Sequence, residues 1–276
     1  MGVLNLTPDS FSDGGRLLSG NAPDLSLIEA TAQRMVAAGA AIIDVGGEST
    51  RPGAAAVSTA EELRRVIPVV ERLLALGIIV SVDTCKAAVA RAALAAGCHL
   101  INDVTGLADR AMLDAVADSS AAVCIMHMQG EPRTMQRDPG YENVVSEVAG
   151  ILAKRVSACR HAGIDAARIC VDPGFGFGKT MAHNLALLRD LESVRVADLP
   201  LLVGLSRKSM LGTITGREAH DRVAASVAAA LLAVQNGANI VRVHDVAPTV
   251  DALKVLQAVT SLDCLGSRSM EGVSES

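Results

Sequence analysis

Aromatic side chains are scarce in this sequence: three Phe, one Tyr and no Trp make up 1% of its 276 residues. Sandwiches and antiparallel barrels lean on aromatic and β-branched pairs across strands. With about one residue in six alanine, a strong helix former, the composition argues against an all-β domain. Lysine is also short. Only five of the 25 basic residues are Lys, so positive positions mostly carry the planar, bidentate guanidinium. The formal net charge of −5 leaves no electrostatic footprint for nucleic acid. No apolar run reaches the roughly 20 residues that span a bilayer. The longest low-polarity stretch, near Val223–Val234, is interrupted by Ser226. The start, Met1–Asp9, has neither the basic head nor the apolar core of a secretory signal. The cysteines at 85, 98, 124, 159, 170 and 264 show no C-x-x-C spacing, and Cys124 and Cys170 sit in apolar runs. They read as buried free thiols of a cytoplasmic protein. His-x-His and H-E-x-x-H, the marks of a zinc site, are missing, as is an early G-x-G-x-x-G after the first strand.

Half of the residues are apolar, which excludes a disordered chain and supplies a large core. Length alone allows two domains, although α/β barrels of this size are commonly one. Eight short apolar runs recur: Val3–Leu6, Ala41–Val45, Ile78–Val82, His99–Ile101, Ala122–Met126, Ile169–Val171, Leu201–Leu205 and Ile240–Val243. Near-continuous apolar strands mark a parallel sheet covered on both faces. Helical periodicity fills the gaps over Leu25–Ala38, a stretch after Ser58, Ala87–Ala96, Ala111–Ala117, Val144–His161, Asn184–Leu191, Arg222–Gln235 and Thr249–Val259. Ser58 and Glu61 have the spacing of a capping box. Strand and helix alternating eight times predict a single (β/α)8 barrel over residues 1–264, with a polar tail over 265–276. An open doubly wound sheet is the alternative.

In such a barrel the site is built at the C-terminal ends of the strands. Here these ends carry Asn5, Asp44, Asp83, Asn102-Asp103, His127, Asp172, Ser206-Arg207-Lys208-Ser209 and Arg242 with His244-Asp245. One Asp after a strand is commonly a helix cap. Eight polar strand ends on one rim predict an active site. Asp83, Asn102 and Asp172 suit the N–H donors of an amino-pyrimidinone edge, and Arg242, Arg51, His244 and Asn5 suit an anion such as phosphate. Asn5 and nearby acidic groups also suit Mg²⁺, which takes few protein oxygens. Plainer roles are expected elsewhere. His99, His161, His183 and His220 read as scaffold or surface, and His127 as a satisfied barrel histidine. Asp44 and Glu48 read as holding the loop after the second strand, and Arg207 as structural. The run Gly174-Phe-Gly176-Phe-Gly178 lacks dinucleotide spacing.

Taken in order, Met1–Gly15, Ile42–Gly53, Ser81–Thr84, Ile101–Asp103, Met126–Gly130, Asp172–Lys179, Ser206–Ser209 and Arg242–Asp245 resemble the bacterial dihydropteroate synthase family over essentially the whole chain. That family joins 6-hydroxymethyl-7,8-dihydropterin diphosphate to 4-aminobenzoate, a step of folate synthesis. The resemblance implies a pterin pocket of Asp83, Asn102, Met126, Asp172, Lys208 and Arg242, with Asp172, Lys208, Asp83 and Arg242 carrying the chemistry. It implies Mg²⁺ on Asn5 and diphosphate on Asn5, Arg51, Arg242 and His244. The aminobenzoate would meet Phe11, Thr50, Pro52, Phe177, Lys208 and Ser209, where sulfonamides would compete. It further implies a homodimer through the late helices. The family's hairpin at the barrel floor, ahead of the first strand, is expected to be missing. Rival readings are a pterin-dependent methyltransferase, a Schiff-base aldolase using Lys208, and a pterin-binding protein without turnover.

Overall fold

A computed structural model of the protein describes residues 1–7, 17–19, 22–49, 54, 56–130 and 134–261. The described strands and helices run β1 (Gly2–Asn5), β2 (Leu18–Ser19), β3 (Ala22–Pro23), α1 (Leu25–Ala37), β4 (Ile43–Gly46), α2 (Thr59–Ala75) and β5 (Val80–Asp83). They continue with α3 (Ala87–Ala96), β6 (Leu100–Asp103), α4 (Arg110–Ala117), β7 (Ala122–Met126), α5 (Val144–His161), β8 (Ile169–Asp172) and α6 (Met181–Arg189). The last are β9 (Leu202–Val203), α7 (Ser209–Thr215), α8 (Val223–Gln235), β10 (Ile240–Val241) and α9 (Val246–Thr260).

Strands β1, β4, β5, β6, β7 and β8 pair in that order, all parallel, and β9 pairs parallel with β10. Two seams join these sheets. Val171 N–H donates to the Pro200 carbonyl at 2.9 Å, beside a parallel bridge from Val171 to Leu201. Val3 N–H donates to the Val243 carbonyl at 3.0 Å and Val243 N–H to that of Met1 at 2.9 Å. The eight expected strands thereby form the ring of a (β/α)8 barrel, with helices outside.

The period of two along each strand divides the side chains. Outward residues such as Ile43, Val45, Val82, Ile101, Val123, Ile125 and Val171 are fully buried and belong to the main core beneath the helices. Inward residues change character with height. Leu100, Cys124, Cys170 and Leu202 form a separate apolar plug, against which Met1 and Ile240 pack. Two residues further along the same strands stand Asn102, Met126 and Asp172, at the mouth.

Caps set the helix starts. Asp24, Ser58, Asp109 and Asn143 each accept a backbone N–H of the first turn. The capping box expected at Ser58 is only half made: Ser58 accepts from Glu61 N–H at 3.2 Å, while the Glu61 carboxylate takes Arg64 and Arg65 instead. A complete box occurs at α6, where Thr180 and His183 cap reciprocally. That helix therefore begins three residues before the expected Asn184. The hairpin β2–β3 and the seven-residue α7 lie outside the expected element list.

Candidate active site

All the residues singled out as site candidates that fall in the described part line one cavity of about 740 Å³ at the strand C-termini. Phe11, Thr50, Arg51 and Pro52 lie outside the described residues. A second cavity, about 600 Å³, opens at the other end of the barrel beside α3 and α4, away from every candidate.

The floor of the larger cavity is an ion cluster across the barrel. Arg242 Nε lies 2.5 Å from Asp44 Oδ2, and its Nη2 lies 2.9 Å from Asp83 Oδ2. Asn102 Nδ2 donates to the same Asp44 oxygen at 3.2 Å. Asp44 is fully buried. It does not hold the loop after β4, as the sequence suggested; it sits under the site and orients Arg242 and Asn102. The reason is parity: Asp44 is an inward residue of β4, level with Val3 and Ser81. Burial works against the charge on Arg242, yet Asp44 and Asp83 raise its pKa above the ordinary guanidinium value. Burial pushes Asp83 up to about 7, with Arg242 opposing and Asp44 reinforcing.

Asp172 ends β8. Burial raises its pKa too, countered by the Gly174 N–H, which it accepts at 2.7 Å, and by Lys208, Lys179 and Arg242. The loop beyond it turns back at once. Gly174 has φ of +69°, and a Cβ there would sit 1.9 Å from the His127 carbonyl oxygen, so only glycine fits. This loop carries Phe177, whose ring faces Lys208 Nζ at 4.4 Å from its centroid. Ser209, next to Lys208, opens α7. Arg207 adopts φ of +59° and pairs with Asp245 at 2.6 Å, a structural bond, and it also lines the cavity. His244 Nδ1 lies 3.0 Å from Ser206 Oγ. Met126 closes one side, packed with Val104, Met135 and Phe177.

The loop after β4 is held at its base. Gly47 gives its carbonyl to Arg65 Nη1 at 3.1 Å. Glu48 accepts from Val57 N–H at 2.8 Å and shares Lys86 with the buried Glu62. Glu48 thus anchors the base of that loop, and it also lines the cavity. His99, His161 and His183 bond within the scaffold, and His220 stands exposed on the rim of the cavity. His127 is less satisfied than expected: Nδ1 meets Lys179, but its buried Nε2 has no partner among the described residues. Burial draws its pKa down to about 3.

Gln136, whose side chain donates to the Gly176 carbonyl, and Met135 also line the cavity. Neither carries a signal in the sequence, because their loop has no motif. Among the described residues no group of His, Cys, Asp and Glu forms a metal cage. The Asn5 amide oxygen and Asp83 Oδ2 do flank one point beside Gly46, where a Cβ would lie 3.6 and 3.8 Å from them. Such hard oxygens fit Mg²⁺ held mainly by water and phosphate.

Residues 1–244 match the family of pterin binding enzymes. The dihydropteroate synthase of Escherichia coli K12 is 48% identical over 264 residues, covering 95% of this chain and 91% of the relative. The crystal structure of Yersinia pestis dihydropteroate synthase with a sulfonamide drug superposes with a TM-score of 0.90 at 48% identity, covering 94% of this chain and 93% of that one. The Burkholderia cenocepacia dihydropteroate synthase complexed with 7,8-dihydropteroate gives 0.86 at 50% identity, covering 96% and 92%.

Proposed function

The chain belongs to the pterin binding enzymes, as one of their dihydropteroate synthases, and from that premise we propose how its cavity performs the reaction. The enzyme is a transferase that condenses 6-hydroxymethyl-7,8-dihydropterin diphosphate with 4-aminobenzoate to 7,8-dihydropteroate and diphosphate. The observation that carries the assignment of roles is the convergence of Asp83, Asn102, Asp172 and Arg242 on one cavity whose other wall is Phe177 and Lys208.

The flat pterin lies over the ion cluster. The Asp172 carboxylate accepts two parallel N–H bonds from its amino-pyrimidinone edge, and Asp83 and Asn102 meet the remaining ring polar groups. Met126 covers one face. The C–O bond between the pterin methylene and the diphosphate breaks, and the electron pair leaves with diphosphate. Asp172, Lys208, Asp83 and Arg242 provide the preorganised field for the charges that develop, worth about 3–4 kcal/mol for a well-placed group. Asp172 stabilises the cationic pterin fragment without bonding to it. The amine of aminobenzoate then forms the C–N bond and loses its proton to water.

Diphosphate is received by Asn5, Arg51, Arg242 and His244. Arg242 is already matched by two carboxylates, so it acts there through its N–H directions more than through net charge. Asn5 would hold Mg²⁺, which when bound supplies neutralisation of the leaving group. Aminobenzoate is received by Phe11, Thr50, Pro52, Phe177, Lys208 and Ser209, and sulfonamides compete for this place. The titrated diphosphate release with and without 4-aminobenzoate is the direct test. Release that depends on the amine and is suppressed by sulfamethoxazole is expected. Release indifferent to the amine would remove the assignment.

The same reading places the enzyme in the cytoplasm as a homodimer. The free cysteines among the described residues support a reducing compartment, and no described helix is long and apolar enough to cross a membrane. Ile214, Leu232, Val255 and Val259 on α7, α8 and α9 are at least half exposed, an apolar face suited to a second copy. Light scattering on Leu232→Asp should show a shift toward monomer.

A further inference from the structure

The loop between β8 and α6 folds around one ammonium group. Lys179 Nζ donates to the carbonyls of Gly174 and Phe177, 3.0 Å each, and lies 2.9 Å from His127 Nδ1. Its three N–H directions are thereby used, and they tie both limbs of the loop to the end of β7. Lys179 is 3% exposed, so water does not compete for these bonds. It is absent from the cavity wall, whereas Phe177 is part of it.

A buried ammonium is a costly way to tie a loop. Burial draws its pKa down to about 7, with Asp172 opposing and Lys208 reinforcing. A shorter or apolar side chain would avoid that cost, but it could not reach acceptors in three directions. What the three bonds fix is the backbone on which Phe177 stands, and the Phe177 ring is the surface over which Lys208 sits at 4.4 Å. The link from Lys179 to the cavity is therefore one carbonyl and one ring long.

We propose that Lys179 is a positioning residue for the aminobenzoate half of the site, setting the place of the Phe177 ring and of Lys208 upon it; this rests on Phe177 and Lys208 receiving that substrate. The polar groups of the pterin half, Asp83, Asn102, Asp172 and Arg242, take none of the three Lys179 bonds, so the two substrates should respond differently to its loss.

Lys179→Met keeps the stem and removes the three donors. The chain has three phenylalanines, so 4-fluorophenylalanine labelling gives a ¹⁹F spectrum in which Phe177→Leu identifies the Phe177 signal. In Lys179→Met this signal should move. The KM for 4-aminobenzoate should rise about tenfold or more, with the calorimetric Kd of the pterin diphosphate within about twofold of wild type. A Phe177 signal that stays in place, an unchanged KM for the amine, or an equal loss for both substrates would overturn the proposal; the last is what a loosened fold produces. The spectrum needs no turnover. If wild type fails to release diphosphate, the functional reading falls, and the position of the Phe177 ring still decides the role of Lys179. Should Lys179→Met not fold, Lys179→Gln takes its place, with the same changes in smaller measure expected.

Discussion

The proposed pterin half and the proposed aminobenzoate half of the cavity rest on different kinds of support. Asp83, Asn102 and Asp172 stand on strand ends, with Arg242 just beyond β10. Asp44 joins two of them from below, at 2.5 Å to Arg242 and 3.2 Å to Asn102. Phe177 and Lys208 stand on loops, and what fixes them is backbone: carbonyls gathered by Lys179 on one side, and a left-handed Arg207 pinned by Asp245 on the other. A strand end locates a side chain through the whole barrel, whereas a loop locates it through a few bonds. Substitutions in the first half should therefore cost binding and chemistry, and stability as well where the buried ion cluster is broken. Those in the second should mainly change the affinity for one substrate.

The largest break is expected from Asp44→Ala. It leaves Arg242 with Asp83 as its one carboxylate here and takes the acceptor from Asn102, at about 3 kcal/mol of stability, and pterin binding should fall with it. Denaturant unfolding and calorimetry read both. Asp172→Asn should keep the fold and lose most of kcat, about a hundredfold or more. Near-normal kcat in steady-state assays would discard its role.

The pH dependence separates the halves further. Asp83 is held up to about 7 in the folded chain, against an ordinary 3.8. The folded state thus keeps a proton that the unfolded state has released, and the stability this contributes is lost as pH rises from about 4 to about 7. Pterin binding runs the other way. It needs the carboxylate, so the affinity of the free enzyme should climb with pH through about 7, by calorimetry, and Asp83→Asn should flatten that climb. The smallest effect is expected at the ring. Phe177→Leu removes the cation–π face offered to Lys208 and should raise the KM for aminobenzoate about tenfold, leaving pterin affinity in place.

Much of this plan was legible in the sequence, and the gaps have physical causes. The eight apolar runs and their polar ends were readable because burial on both faces leaves a compositional mark. The role of Asp44 was not. It depends on which way the residue faces in β4 and on a partner 198 residues away, and Asp44-Val-Gly-Gly reads just as well as a loop anchor. Helix α7 gives no periodic signal because it is seven residues long, and its second half, Gly212-Thr213-Ile214-Thr215, consists of weak helix formers. The Ser58 box was half right because Glu61 had two arginines within reach. His127 and Lys179, 52 residues apart, gave no sign of being joined.

The apolar plug of Leu100, Cys124, Cys170 and Leu202, with Met1 and Ile240 against it, makes the barrel a cup and not a tube. Everything enters and leaves by the same mouth. On the proposed roles, the pterin over Arg242 and the carboxylates enters before the aminobenzoate at the loops, and the products leave by the same way. The order of events is thus written into the floor: traffic through the site is a queue with one door.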